Sequence, residues 1–270
     1  MGRAMVLLGL PGLLVGAANG QLARPGLPDG WTVSPENEAR AGEAGYRILH
    51  DDTGIELLFM PAGAFVMGAT ETDPDAVVCE KPEHDVQLGA CWIGRTEVTV
   101  GQWRGVMGGA PDGNSLGDDY PLVNVPWQQA NLFCIRLGLR LPTEAEWEQA
   151  ARGPERPLYP WGDEWLDGRC CFGGDAPCAP GQHAEGASWL GAVDMAGNVS
   201  EWCADWYADG YYETSSRSNP EGPRIGTERV TRGGSWCSES QRDLRGSARD
   251  SRDPTSGAAD LGFRVARDGA

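Results

Sequence analysis

The stretch Asp194-Met-Ala-Gly-Asn-Val-Ser-Glu-Trp-Cys-Ala-Asp-Trp206 decides how this sequence is interpreted. It places two carboxylates, Asp194 and Glu201, on either side of Gly197 and Asn198, where a chain can turn sharply. A compact loop that offers only oxygen donors is typical of calcium sites. A solvated acidic turn is the plain alternative, but the two tryptophans of the stretch indicate that it is anchored in a core.

Other short segments stand in a fixed order around this stretch. They are Pro61–Gly68, Arg95–Thr99, Pro121–Trp127, Arg140–Trp147, Tyr159–Gly162, Arg232–Trp236 and Leu261–Arg264. Together, over roughly residues 55 to 267, they resemble the formylglycine-generating enzyme family, also called sulfatase-modifying factors. The resemblance implies an α+β fold, a variant of the C-type lectin architecture with two helices, short twisted sheets and long ordered loops.

The composition of the chain limits its partners. Its 270 residues include 39 glycines and 19 prolines, which predict many turns and few long helices, and its formal net charge is −17. A nucleic-acid or anionic-membrane surface needs clustered Lys and Arg, so both classes are excluded. We expect a monomer that binds cations and acts on an unknown peptide or small molecule.

The N-terminus predicts export. Residues 1–20 combine Arg3, an apolar run and the small residues Ala18 and Gly20, which is typical of a cleaved secretory signal. A disordered tail or an uncleaved anchor is the alternative, and the apolar run is too short and broken to span a bilayer. We interpret residues 21–54 as an arm or linker and residues 55–268 as the domain, in a secreted or periplasmic protein.

Two helices are predicted from local signals. The first begins near Pro126 and ends at Gly138. The second begins at Thr143, whose hydroxyl and the side chain of Glu146 can form a capping box, and Gly153 ends it. Short strands are predicted at residues 55–60, 64–67 and 91–93.

The resemblance also implies a metal ligand set. Asp194 and Glu201 would supply side-chain oxygens to a structural calcium ion, and Gly197 and Val199 would supply carbonyl oxygens. A second calcium of the family would fall at Cys170 and its neighbour Cys171, which are poor calcium ligands.

The catalytic pair of the family is two cysteines five residues apart, which bind copper as thiolates while oxygen converts a substrate cysteine to formylglycine. Soft thiolates are suited to copper(I). This chain has Cys237 after the Arg232–Trp236 segment, and Ser235 matches an active-site serine of the family. Arg242 stands where the second cysteine is expected.

Cys203 is the remaining candidate for the second sulfur, and a copper site is possible only if it lies beside Cys237. The same proximity would give an ordinary disulfide between Cys203 and Cys237, which we expect in an exported chain with eight cysteines. Two hypotheses stay open: an oxidoreductase-like maturation factor that is not a standard sulfatase activator, and a non-catalytic, calcium-stabilised lectin-like binding module.

Overall fold

The computed structural model of the chain describes Leu27, residues 29–37, Ala39 and residues 41–269. The predicted signal, residues 1–20, lies outside the described residues. Within those residues, no helix is long and apolar enough to cross a membrane.

Over the described ranges, the strands form two larger sheets and a hairpin. The first sheet is antiparallel, in the order β1-β2-β3-β6-β11, and consists of β1 (Trp31–Val33), β2 (Arg47–His50), β3 (Glu56–Met60), β6 (Cys91–Gly94) and β11 (Ala266–Asp268). The second has the order β10-β7-β8-β9 and consists of β7 (Ser200–Trp206), β8 (Arg229–Arg232), β9 (Arg249–Arg252) and β10 (Leu261–Gly262). The hairpin pairs β4 (Gly63–Met67) with β5 (His84–Leu88). The strands predicted at residues 55–60, 64–67 and 91–93 are confirmed by β3, β4 and β6.

The interpretation of residues 21–54 as a separate arm is wrong for the described part of that segment. Strand β1 pairs with β2, and β2 pairs with β3 of the domain. Trp31 and Ile48 are buried in the main hydrophobic cluster. The Pro- and Gly-rich composition of the segment concealed two strands of three and four residues, which are too short to show a clear alternation.

The described residues form three α-helices where two were predicted: α1 (Val100–Met107), α2 (Trp127–Arg136) and α3 (Glu144–Arg152). Helices α2 and α3 are confirmed, including the Thr143 capping box. Helix α1 has a capping box of its own, from Thr99 and Gln102. Its eight residues include two glycines, which disfavour helix, so its helical signal was weak.

Tryptophans fix the loops to the core. Trp103, Trp147 and Trp202 are among the largest fully buried side chains. The Trp202 indole donates to the Val125 carbonyl oxygen at 2.8 Å, and the Trp127 indole donates to the Cys203 carbonyl oxygen at 2.8 Å. The two indole N–H groups therefore join strand β7 to the start of α2 and the loop before it, while the rings bury apolar area.

Buried arginines form ion pairs that join segments distant in the sequence. Their carboxylate partners are Glu148 for Arg232, Glu144 for Arg249, Glu80 and Asp73 for Arg245, and Glu201 for Arg264. Glu80 is only 2% exposed, although its segment is rich in charged residues and its sequence is typical of a solvated loop. Removing one partner of such a buried pair leaves a charge without solvent or counterion, which costs more than the loss of a surface pair.

Asp205 at the end of β7 leads to a prediction on pH. Burial, and next the Glu144 carboxylate, raise the pKa of Asp205 well above its usual range. A carboxyl group whose pKa is raised by folding stabilises the fold below its unfolded pKa, and that contribution is lost as pH rises through the folded pKa. Asp205→Asn keeps an oxygen for the Glu144 N–H, which donates at 2.8 Å, but cannot ionise.

We therefore expect the stability of Asp205→Asn relative to wild type to increase from about pH 4 upward. Urea unfolding at a series of pH values measures this, with the exposed Asp175→Asn as control. A difference between Asp205→Asn and wild type that stays constant with pH would contradict the prediction.

Candidate functional site

A cleft of about 450 Å³ opens where the predicted active-site segment leaves β8. We call it the Cys237 cleft; it is lined by the turn after β8, the 3-10 helix Gln241–Leu244, strand β9 and Asp260. Ser235 is buried and Cys237 is exposed at its wall. The Ser235 Oγ lies 3.4 Å from the Cys237 Sγ and 3.4 Å from Asp260 Oδ2.

The turn that presents these two side chains depends on its glycine and on a serine. Gly234 has φ +63°, and a Cβ there would lie 2.8 Å from the Asp243 carbonyl oxygen. The Ser235 N–H donates to Ser238 Oγ at 2.9 Å, and the Trp236 N–H donates to the Asn198 carbonyl oxygen at 2.7 Å. The backbone is therefore held on both sides of Ser235, and Cys237 projects from a fixed turn.

In the part of the chain that the structure describes, no second sulfur lines the cleft. Cys203 is fully buried in a hydrophobic cluster with Leu58, Ile93 and Val230. Burial, followed by nearby carboxylates, raises the pKa of its thiol well above the usual range. Cys203 and Cys237 are both free, so the predicted disulfide between them is wrong. The antiparallel register explains the error. Glu201 pairs with Arg232 and Trp202 with Thr231, so Cys203 lies toward Val230 in the core, while Cys237 follows Arg232 at the other end of β8.

Among the described residues, Cys237 is the one cysteine that lines the cleft. Arg242 and Asp243 line it where the family pair would have its second thiolate. A guanidinium and a carboxylate are not soft ligands, and the guanidinium would repel a copper ion.

The lining of the cleft has more acidic than basic groups. Six carboxylates and four guanidinium groups line it: Asp75, Glu80, Glu239, Asp243, Asp250 and Asp260, against Arg242, Arg245, Arg249 and Arg252. Two of the arginines also form ion pairs with carboxylates that are not part of the lining: Arg245 with Asp73, and Arg249 with Glu144. Three carboxylates of the lining are exposed, those of Asp75, Glu239 and Asp250, against one exposed guanidinium group, that of Arg242, so the cleft presents more negative than positive charge to solvent.

The predicted calcium loop turns as its sequence suggested. Asp194, Gly197 and Asn198 all have positive φ, of 57°, 78° and 59°. A Cβ on Gly197 would lie 2.5 Å from the Cys171 carbonyl oxygen, so only glycine fits there. Gly197 and Val199 are both buried. Neither of their carbonyl oxygens accepts a hydrogen bond from any described residue. Buried carbonyls without a donor are uncommon and would be satisfied by a cation.

Glu201 has a partner that the sequence did not reveal. Its Oε2 accepts from Arg264 Nε at 2.6 Å and from the Trp147 indole at 2.8 Å, and its Oε1 accepts from Arg264 Nη2 at 2.5 Å. The side chains of Glu201 and Arg264 are both 0% exposed. Glu201 therefore neutralises the buried guanidinium group of Arg264.

A third buried carboxylate, that of Glu97, lies close to Asp194 and Glu201. Its Oε1 accepts from Asn198 Nδ2 at 3.0 Å, and its Oε2 is buried with no hydrogen-bond partner. Burial, and next the charges of Asp194 and Glu201, raise the pKa of Glu97 well above its usual range. We call Glu97, Asp194, Glu201 and Arg264 the carboxylate cluster. With all four groups ionised it has three negative charges and one positive charge, which a divalent cation would balance.

Sequence reasoning missed Glu97 as a member of this cluster. It lies in the Arg95–Thr99 segment, 97 residues or more before its partners, and a single glutamate there has no local spacing to reveal it. The position of the family's second calcium ion has sulfur side chains in this protein. Cys171 forms a disulfide with Cys178, and Cys170 is a buried free thiol.

Known proteins match this chain over most of its length. The sulfatase-modifying factor enzyme 1-like domain matches residues 49–269. The formylglycine-generating enzyme of Thermomonospora curvata is 38% identical over 222 residues, covering 72% of this chain and 67% of that protein. The formylglycine-generating enzyme of Streptomyces coelicolor is 34% identical and covers 96% of this chain and 95% of that protein.

Solved structures agree with the fold. Treponema denticola variable protein 1 aligns with a TM-score of 0.70 at 29% identity, over 79% of this chain and 95% of that chain. PvdO from Pseudomonas aeruginosa aligns with a TM-score of 0.72 at 24% identity, over 85% of this chain and all of that chain, which shows the shared fold alone. The expected α+β, C-type-lectin-like architecture is confirmed, and the chain belongs to the sulfatase-modifying factor, or formylglycine-generating enzyme, family.

Proposed function

We propose that the protein is a ligand-binding member of its family, in which the Cys237 cleft receives a cationic peptide or small molecule and does not produce formylglycine. The observation that supports this most strongly is the single thiol of the cleft. Copper(I) held by the protein needs two sulfurs here, and the other candidate, Cys203, is buried in the core.

The charge of the cleft supports a cationic ligand. Carboxylates outnumber guanidinium groups in its lining, and the whole chain has a formal charge of −17. A concave surface with an excess of one sign raises the local concentration of ligands of the opposite sign. Asp75, Glu239 and Asp250 are the exposed carboxylates of the lining, and Asp250 also pairs with Arg252. We choose Glu239 and Asp250 as the positions at which contact with a Lys or Arg side chain is tested.

A pool of random short peptides tests this proposal. We expect peptides retained by the wild-type protein to be enriched in Lys and Arg, and the enrichment to be lost in Glu239→Gln/Asp250→Asn. The matched control is Asp29→Asn/Asp52→Asn, which removes the same charge from positions that do not line the cleft. Equal enrichment in all three proteins, or none in any, would contradict a cationic ligand.

A single-thiol maturation reaction on a peptide is the second candidate. Cys237 is exposed, and the Ser235 hydroxyl lies 3.4 Å from its sulfur, so the thiol is accessible and has a polar neighbour. The two formylglycine-generating relatives are enzymes by name. A change in the mass of a bound peptide that depends on Cys237 would favour this candidate over simple binding.

We also propose that one calcium ion stabilises the fold, held by Asp194, Gly197, Val199 and Glu201. The two buried carbonyls without donors and the surplus of buried carboxylate support it. Oxygen donors of mixed type fit a hard cation. Glu201 would share its carboxylate with Arg264, and a bound cation would favour the ionised form of Glu97, whose pKa is raised by burial and by the charges of Asp194 and Glu201.

Removing calcium is therefore expected to lower the free energy of unfolding by about 3 to 4 kcal/mol, for free calcium at roughly 100 to 1,000 times the dissociation constant. Thermal unfolding with and without a chelator measures the change. Asp194→Ala should lose the response, and Asp175→Ala, an exposed loop acid, should keep it. No response to chelator in the wild-type protein would contradict the calcium proposal.

Export of the chain stays a proposal that rests on residues 1–20 alone. If the segment is a cleaved signal, the mature protein begins after Gly20. Mass spectrometry of the N-terminus of the secreted protein tests this, and a protein that retains its first residues would contradict it.

A further inference from the structure

A cluster of two sulfurs and an imidazole lies outside the Cys237 cleft, in the loop from Gly168 to His183. The Cys171–Cys178 disulfide closes this loop. The Cys178 Sγ lies 3.7 Å from His183 Nε2. The two sulfurs and a ring nitrogen of His183 all lie within 4.8 Å of one another, and they are the one such metal-ligand group found among the described residues.

The orientation of the imidazole is fixed by a backbone carbonyl. His183 Nδ1 lies 2.7 Å from the Gly168 carbonyl oxygen, and a carbonyl can only accept, so Nδ1 carries the proton. The lone pair of a neutral His183 is then on Nε2, the nitrogen beside Cys178. A ring N–H bonded to a carbonyl is the arrangement that commonly orients a metal-binding histidine.

Cys171, Cys178 and His183 have different surroundings from the neighbouring thiol, Cys170. Cys171 is buried, while Cys178 and His183 are half-buried, so the group can be reached from solvent on one side. Cys170 instead packs in a hydrophobic cluster with Leu244 and is not part of the group.

We propose that the reduced form of this loop is a binding site for a thiophilic cation, Zn²⁺ or Cu⁺, with Cys171, Cys178 and His183 as its ligands. Two thiolates and one imidazole are suited to either ion and leave a coordination position for water or another ligand. Sulfur and imidazole do not suit calcium, so this site is distinct from the one proposed for the carboxylate cluster.

The conversion between the two forms balances with an external dithiol. The dithiol gives two electrons and two protons to the Cys171–Cys178 bond, becomes a disulfide itself, and leaves two protein thiols. The cation then displaces two thiol protons to water, while neutral His183 binds through Nε2 without losing a proton. In either form the ends of the loop stay linked, by an S–S bond or by the ion.

The hydrogen bonds around the loop support a reduced form that stays folded. Cys178 N–H donates to Asn198 Oδ1 at 3.0 Å, and the Cys171 carbonyl oxygen accepts from Asn198 N–H at 2.9 Å. Gly173 N–H donates to the Trp236 carbonyl oxygen at 2.8 Å. These three bonds use backbone atoms of the loop and do not require the disulfide.

The experiment uses the tag-free protein, oxidised or reduced with a phosphine that is then removed without air. Each form is titrated with Zn²⁺ against a chromophoric chelator, and separately with Cu⁺ against a copper(I) chelator. We expect the reduced protein to bind one equivalent of at least one of the two ions, and the oxidised protein to bind neither at the same affinity.

Variants identify the ligands. His183→Ala keeps both cysteines and can form the disulfide, and we expect it to weaken binding by about 100-fold, the scale on which even outer-shell partners matter. Cys178→Ser should abolish binding, whereas Cys237→Ser, which removes an exposed thiol elsewhere, should not change it. Absence of binding to both ions by a reduced protein that keeps its near-ultraviolet circular dichroism would overturn the proposal. Binding that Cys237→Ser abolishes and His183→Ala leaves intact would overturn it as well.

Discussion

A peptide with a sulfatase-type cysteine is expected to stay unchanged when it is incubated with this protein, copper and oxygen. The reaction of the family needs two thiolates on copper(I) and room for the thiolate of the substrate. Among the described residues, one cysteine lines the cleft, Cys237. The other candidate, Cys203, is buried in the core, where the pKa of its thiol is raised. A protein thiol that stays protonated in an apolar cluster binds copper poorly.

Mass spectrometry of the peptide measures the outcome, with the Thermomonospora curvata formylglycine-generating enzyme as a positive control. We expect conversion by that enzyme and none by this protein above the level of Cys237→Ser. A product lighter by the difference between thiol and aldehyde, formed by the wild type and lost in Cys237→Ser, would sink the prediction.

Glu201→Ala is expected to lower the free energy of unfolding by about 3 to 5 kcal/mol, even in the presence of a chelator. The substitution removes three hydrogen bonds, two from Arg264 and one from the Trp147 indole. Arg264 is 0% exposed and would be left without the carboxylate that neutralises it. Because calcium is chelated in this measurement, the change reports the loss of these protein contacts and not the loss of calcium.

Urea unfolding of the variant and the wild type measures this difference. The comparison requires that the m value, the dependence of the free energy of unfolding on urea concentration, is the same in both proteins. The matched control is Glu83→Ala, whose partner Arg156 and own side chain are both partly exposed, and we expect a change of about 1 kcal/mol or less there. Similar changes for Glu201→Ala and Glu83→Ala would mean that the buried pair contributes no more than a surface pair.

The sequence predicted the features that depend on neighbours along the chain. The capping box of Thr143 and Glu146 lies within one helical turn, and the turn at Gly197 lies within one loop, so both left a local signal. The order of the short segments predicted the family and therefore the fold.

The errors concern pairings between distant residues. The strands that carry Cys203 and precede Cys237 are adjacent, but their antiparallel register places Cys203 in the core near Val230, while Cys237 follows the opposite end of β8. Glu97 joins the carboxylate cluster from a segment that has no local metal-binding pattern. The partner of Glu201, Arg264, lies 63 residues further along the chain, and spacing alone could not identify it.

The rate at which Cys237 reacts with charged thiol reagents tests the proposed cationic cleft most directly. A cationic and an anionic methanethiosulfonate are compared, each normalised to its rate with free cysteine, and peptide mapping confirms modification at Cys237. We expect the cationic reagent to react faster by about tenfold or more at low ionic strength. The ratio should fall toward one at about 1 M salt, where the Debye length is only about 3 Å.

Glu239→Gln/Asp250→Asn should reduce this ratio strongly, and Asp29→Asn/Asp52→Asn should reduce it little, because only the first pair lines the cleft. A faster reaction with the anionic reagent would contradict the account. So would a ratio that both double variants change equally, since the preference would then come from the net charge of the whole chain and not from the cleft.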